Sequence, residues 1–233
     1  MILVTDLETI DLNKNKVSHE TAIPVQLAAI PLDENSLEII DDPLCMWINP
    51  GEEILNSPSF YQDYSNVLAF HEKAQGKPKE ELVELWRSGL ATRDAMKEFK
   101  DYVKSYTKGS KKAYFGGMNV RNFDIPILER LIDKGWPFAK VKTWDIRDVA
   151  QMWFEYSRNP PKLNGRVSYS FDSLRQYFDM STENAHDALV DVRQEADLLR
   201  RFLRLQKNLM TYGYQHRDQK AFAWAKVLHG VKS

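Results

Sequence analysis

The sequence predicts an α/β domain: a mixed β-sheet flanked by helices, with an irregular helical insertion. Three observations carry that reading. Aliphatic and β-branched runs at residues 2–8, 23–32 and 44–48 have strand character and follow one another closely. From residue 92 onward, helical and strand-like segments alternate, the order that lays helices on the faces of a sheet. Towards the end, Leu189, Val192, Ala196, Leu199 and Leu203 recur at spacings of three and four, which is one buried face of a long helix.

At 233 residues and 43% hydrophobic, the chain can bury a substantial core. One domain is expected, with its body in residues 1–205, an insertion over 52–90 and a helical extension of the same domain over 206–233. The net charge of −1 excludes a globally basic nucleic-acid binder, so contact with a polynucleotide must be local. The single cysteine, Cys45, excludes an internal disulfide framework and a cysteine-based zinc site. It fits a reducing compartment and reads as a core residue. No apolar run reaches membrane-spanning length and no secretory leader pattern is present, so a soluble cytoplasmic protein without a membrane partner is expected.

Residues 2–8 form a strand that carries Asp6 and Glu8 two positions apart, so both carboxylates project from one face. Two like charges that close repel. A strand end with solvated acids would tolerate that, and so would a divalent cation between them, for which oxygen ligands favour a hard ion such as Mg²⁺ or Mn²⁺. The runs at 23–32 and 44–48, the latter ended by Asn49-Pro50-Gly51, complete an antiparallel meander. Between residues 52 and 89, helical patches at 67–74 and 80–86 sit among Gly and Pro punctuation and are read as an insertion over the sheet. Thr92 is read as the cap of a helix whose apolar face is Ala95, Met96, Phe99, Tyr102 and Val103. A basic turn follows at 108–112.

A short strand at 113–118 runs into Asn119-Val120-Arg121-Asn122-Phe123-Asp124, and a helix at 125–132 has Pro126 in its first turn. Asp124 therefore stands at a strand-to-helix junction. Ligands are met at such junctions in open α/β sheets, although an aspartate there is most simply an N-cap. A strand at 141–144, a helix at 146–156, a polar loop at 157–170 with Arg158, Lys162 and Arg166, and a short helix at 171–178 follow. Phe123, an aromatic beside a helix start, reads first as core packing and second as a stacking surface. A terminal helix is expected at 217–228.

The stretch Asn184-Ala185-His186-Asp187-Ala188-Leu189-Val190-Asp191 places a histidine five residues ahead of an aspartate at the front of the long amphipathic helix. Asp191 lies one position from the apolar stripe, so its carboxylate is expected at the rim of the core, where it needs a partner. A lone His-x-x-x-x-Asp would be a polar helix cap. Together with Asp6, Glu8 and Asp124 it becomes a joint pattern of four acids and one histidine drawn from separate elements.

That pattern resembles the DEDDh 3′→5′ exonucleases of the DnaQ-like, ribonuclease H-like fold group. Asp6-Leu7-Glu8-Thr9 is similar to the first motif, Asn119 through Phe123-Asp124 to the second, and His186-Asp187-Ala188 with Asp191 to the third. The resemblance extends over most of residues 1–205. Pro24-Val25-Gln26-Leu27-Ala28, the Asn-Val-Arg ahead of Phe123 and Asn184-Ala185-His186-Asp187-Ala188 are most similar to the exonuclease I type, while the compact length is more similar to the DexA or RNase T type. Two features depart from the family: Thr9 is followed by Ile10-Asp11 instead of Thr-Gly, and residues 52–90 match no family element.

The resemblance implies a ribonuclease H-like mixed sheet and hydrolysis of single-stranded nucleic acid with a free 3′ end, DNA ahead of RNA, to nucleoside 5′-monophosphates. It implies two Mg²⁺ ions, replaceable by Mn²⁺, with Asp6, Glu8 and Asp191 holding the first, Asp6 bridging to the second and Asp124 supporting that one. His186 would be the general base, and Leu7, Thr9, Asn119 and Phe123 would meet the substrate. Two ions about 3.5–4 Å apart can flank a phosphodiester, which gives the four acids a chemical reason to converge. A catalytically silent nucleic-acid-binding module on the same fold is the alternative, and an exoribonuclease is the rival within enzymes. No protein partner is indicated.

Overall fold

The computed structural model describes residues 1–11, 18–107, 112–132, 134–183 and 185–215. Most of the expected basic turn at 108–112, Asn184 and the helix expected at 217–228 lie outside them.

The chain opens with the meander, β1 (Ile2–Ile10), β2 (Ile23–Leu32) and β3 (Leu44–Asn49), paired antiparallel in sequence order. Residues 52–88 hold four helices, α1 (Glu52–Leu55), α2 (Phe60–Asp63), α3 (Ser65–Gln75) and α4 (Lys79–Ser88), where the sequence shows two helical patches. The edge strand β4 (Leu90–Ala91) and helix α5 (Thr92–Ser105) follow. Next come β5 (Ala113–Gly117), α6 (Asp124–Leu131), β6 (Phe138–Asp145) and α7 (Ile146–Phe154). A hairpin of β7 (Lys162–Leu163) and β8 (Arg166–Val167), then α8 (Phe171–Tyr177), lead to the long helix α9 (Ala188–Gln215).

The main sheet has six strands in the order β4-β3-β2-β1-β5-β6. β5 lies parallel to β1, β6 parallel to β5, and β4 parallel to β3, so the sheet is mixed as expected. β1 is interior to the sheet and covered on both faces, which is why its first residues form a continuous apolar run.

The period-two alternation along β1 sorts its side chains between two cores. Leu3 and Leu7 pack with Ala95, Met96 and Phe99 of α5 and with Ile127 and Leu128 of α6. Ile2 and Val4 pack on the other face with Ile146 and Ala150 of α7 and Val192, Ala196 and Leu199 of α9. Asp6 and Glu8 continue that second series, so both carboxylates face α9. A register shift between Glu8 and Thr9 then bends the strand end and carries Ile10 into a third core, where it meets Leu55, Phe60, Leu68, Leu82 and Trp86 of the 52–88 helices. The 52–88 segment is thereby anchored directly beside the first acidic motif.

Several local expectations change. Cys45 is exposed, because alternation turns Met46 and Ile48 inward and Cys45 to the opposite face, beside Gln26 Nε2 at 3.7 Å. Helix α5 begins at Thr92 with Ala91 as its cap residue, and the Thr92 hydroxyl reaches the Asn49 carbonyl at 3.4 Å. The polar loop at 157–170 contains the β7–β8 hairpin, turned by Asn164 and Gly165 at φ 51° and 77°, a pair of left-handed residues suited to a two-residue hairpin turn.

Candidate active site

Asp6, Glu8, Asp124, His186 and Asp191 line one cleft of about 440 Å³ at the end of the sheet where β1 and β5 run out side by side. Leu7, Thr9, Asn119 and Phe123 line the same cleft. Leu7 is buried among core residues, whereas Thr9, Asn119 and Phe123 are half-buried. Phe123 therefore both packs on the core and faces the cleft.

Two of the acids are fixed by identifiable contacts. Asp124 is the first residue of α6 and buried, and its Oδ1 accepts the Leu7 backbone N–H at 3.1 Å, which ties the second motif to the first. The cap position belongs to Phe123, so the simplest reading of Asp124 as an N-cap is replaced by this cross-strand role. Asp191 is buried at the floor of the cleft, where it finds the partner it needs. Its Oδ1 takes a hydrogen bond from Arg175 Nη2, and its Oδ2 accepts the His186 backbone N–H at 3.2 Å. Arg175 is itself buried, donates from Nε to Gln194 Oε1 at 2.7 Å and stacks 3.7 Å over the Phe171 ring.

The start of α9 is built across the sheet. Asp187 Oδ1 accepts the Leu189 N–H at 3.0 Å, and Gln26 of β2 bonds both Asp187, at 3.3 Å, and the Ala188 N–H, at 3.2 Å. His186, just ahead, has φ 65°, a left-handed conformation that costs energy in a residue with a side chain. Three contacts hold it there: its N–H on Asp191, its carbonyl accepting Gln75 Nε2 at 2.6 Å, and its ring packed 4.6 Å from that of Phe70. Gln75 and Phe70 both belong to α3, so that helix clasps the histidine.

The same helix brings a second histidine. His71 is buried, its Nε2 lies 3.2 Å from the Thr9 carbonyl and its Nδ1 lies 3.8 Å from Glu8 Oε2. Burial lowers its pKa to about 4, so it is neutral and makes no ion pair with Glu8. The Thr9 carbonyl only accepts, so the proton sits on Nε2 and the buried Nδ1, without a hydrogen-bond partner, lies towards Glu8. Behind Asn119, Asp145 caps α7 and accepts the N–H groups of Asn119 at 3.0 Å, Arg121 at 3.2 Å and Arg147 at 3.1 Å, shaping the loop that follows β5.

The electrostatics of the cleft are unfavourable as they stand. Burial, followed by the charges of Asp191 and Asp124, raises the Asp6 pKa well above the usual carboxylate range. Glu8 is raised by burial and by Asp6. Burial raises Asp124 to about 8 and Asp191 to about 6, the latter against the opposing pull of Arg175. Asp6 Oδ2 is sealed from solvent without a hydrogen bond. A fifth acid, Glu195, also lines the cleft, 1% exposed, and its Oε2 is equally unpartnered. Ligand atoms of Glu8, His186 and Asp191 lie within 4.8 Å of one another. Crowded carboxylate oxygens with open lone pairs and an imidazole beside them fit a divalent cation that accepts oxygen ligands, such as Mg²⁺ or Mn²⁺.

Sequence reasoning missed Glu195, His71, Phe70, Gln75, Arg175 and Asp145. For Glu195 a signal exists, since it follows Asp191 by four residues and stands one position from Ala196 in the apolar stripe.

No family model matches the sequence, and no curated protein matches it. Solved structures do. Exonuclease I superposes with a TM-score of 0.64 at 18% identity, over 93% of this chain and 43% of its own. E. coli exonuclease I in complex with a dT13 oligonucleotide gives 0.64 at 19%, over 96% and 45%. A 3′-exonuclease that recognises a histone mRNA stem-loop gives 0.60 at 16%, over 87% and 81%. The chain thus spans less than half the length of exonuclease I. Among the described residues no helix is long and apolar enough to cross a membrane. The likeness gives this chain the fold of these exonucleases, the ribonuclease H-like mixed sheet flanked by helices that the sequence predicts.

Proposed function

We propose that the protein is a cation-dependent 3′→5′ exonuclease that hydrolyses single-stranded nucleic acid, DNA in preference to RNA, to nucleoside 5′-monophosphates. The observation that carries this reading is the convergence of Asp6, Glu8, Asp124, Asp191 and His186 on one cleft, with a carboxylate oxygen sealed away and unpartnered. A module that only bound nucleic acid would gain nothing from burying acids against a phosphate. Mg²⁺ ions bound there, or Mn²⁺ in their place, would acidify the attacking water and neutralise charge on the departing 3′-oxygen.

The remaining steps belong to the chain's own side chains. Asp6, Glu8 and Asp191 present oxygens on the α9 side of the cleft, and Asp124, held by the Leu7 N–H, presents its own from α6. A ring nitrogen of His186 accepts the proton of the attacking water, and burial, by lowering its pKa, keeps the ring unprotonated at neutral pH. Leu7, Thr9, Asn119 and Phe123 line the cleft; as the family resemblance implies, Leu7 and Thr9 would close around the terminal 3′-hydroxyl and leave no room for a following nucleotide, with Asn119 and Phe123 along the path of the strand. A terminal nucleotide must leave its base stack to reach this cleft, which favours single strands by a few kcal/mol. The lone cysteine fits the reducing cytoplasm.

Substrate blocking tests the reading. A 3′-phosphate on single-stranded DNA should stop digestion and a 5′ block should not, and matched duplex and RNA should be cut more slowly. Digestion indifferent to the 3′ block would overturn the direction, and faster cleavage of RNA would make the protein an exoribonuclease.

A further inference from the structure

Helix α9 carries Glu195 one turn beyond Asp191 on the same face, so both carboxylates are delivered to the cleft by a single rigid element. Glu195 is 1% exposed. Burial, then the neighbouring Asp6, Asp124 and Asp191, oppose its charged form, against a smaller opposing pull from the Met118 backbone. Its Oε2 is sealed from solvent without a hydrogen bond, as is Asp6 Oδ2. A glutamate kept only to tie α9 to the end of β5 would not require an oxygen left open among three more acids.

The carboxylate also lies close to the end of β5: Gly117, at φ 148°, has room for no Cβ, which would lie 2.6 Å from the Thr5 carbonyl and from Val120 Cγ1 and 3.2 Å from Glu195 Oε2. Charge supplies a second reason. Asp6, Glu8, Asp124, Asp191 and Glu195 together with the buried Arg175 leave four negative charges, which two divalent cations match.

We propose that Glu195 is a fifth carboxylate of the cation site, binding an ion that Asp6 also holds, directly or through the ion's water. The inference rests on the nuclease reading of the cleft. It assigns to this chain a ligand beyond the four acids of the motif pattern, with Arg175 as the charge that offsets it.

Mn²⁺ binding to the full chain, followed by calorimetry and by thermal melting, tests it apart from any nuclease assay. The native chain should bind two ions. Glu195→Gln should weaken one of them by about 10–100-fold, melt higher than the native chain without metal, and gain less from Mn²⁺. Glu195→Asp, which keeps the charge, should restore two-ion binding at reduced affinity and serves if the glutamine variant does not fold. Two-ion binding by Glu195→Gln at native affinity would overturn the inference and leave the nuclease reading standing. A glutamine variant that melts lower without metal would make Glu195 a structural tie and overturn it too. Failure of the native chain to bind Mn²⁺ would overturn both.

Discussion

Asp6→Ala is expected to bring hydrolysis to the background rate, to leave the fold intact and to raise the melting temperature of the metal-free protein. The reason is the state of the cleft. Asp6 has an oxygen sealed away without a partner, and burial together with Asp191 and Asp124 pushes its pKa up. A carboxyl whose pKa is higher folded than unfolded contributes stability that is full at low pH and is lost as pH rises through the folded value. The metal-free native protein should therefore melt lower as pH climbs from the ordinary carboxylate range through about 6, where Asp191 ionises, and about 8, where Asp124 does. Alanine removes one of the repelling charges and should flatten that decline. Mn²⁺ should raise the melting temperature of the native chain and much less that of the variant, because binding to the folded state stabilises it by mass action. Equal shifts in the two proteins would place the cation elsewhere.

His186→Ala is expected to lower the rate by roughly 10²–10⁴ while the Mn²⁺-induced rise in melting temperature survives. The native rate should hold through neutrality and fall on the acid side, below the ordinary imidazole range, because burial lowers the His186 pKa. The residual rate of the variant should lack that acid limb. Gln75→Leu should act in the same direction more weakly, since it releases the carbonyl that holds His186 in its left-handed conformation. It should reduce kcat more than KM. A His186→Ala variant with a near-native rate at saturating Mg²⁺ would make the histidine a structural residue.

The elements around the site were legible because their signals are local. Alternation along residues 2–8 put Asp6 and Glu8 on one face, and the stripe through Val192, Ala196 and Leu199 announced α9 and the place of Asp191 on it. Glu195 carries the same mark as Asp191, one position from the stripe, and was readable on the same grounds. Arg175 gives no such sign, since an arginine in a short helix is ordinarily solvated and only the fold buries it against Asp191. His71, Gln75 and Phe70 were illegible for a different reason. They reach Glu8, Thr9 and His186 only because the bulge after Glu8 sends Ile10 into the core of the 52–88 helices, a contact between distant segments that no periodicity records. Asn164-Gly165 was a readable hairpin turn inside what otherwise passes for a loop.

The most direct measurement is a time course on a 5′-labelled single-stranded DNA with Mg²⁺ or Mn²⁺, with parallel reactions in EDTA. A carboxylate site that drives hydrolysis from the 3′ end yields a ladder shortening one nucleotide at a time, with nucleoside 5′-monophosphates released and nothing cut when the metal is chelated. Absence of a ladder with either cation, internal cleavage, or an undiminished ladder in EDTA would contradict it.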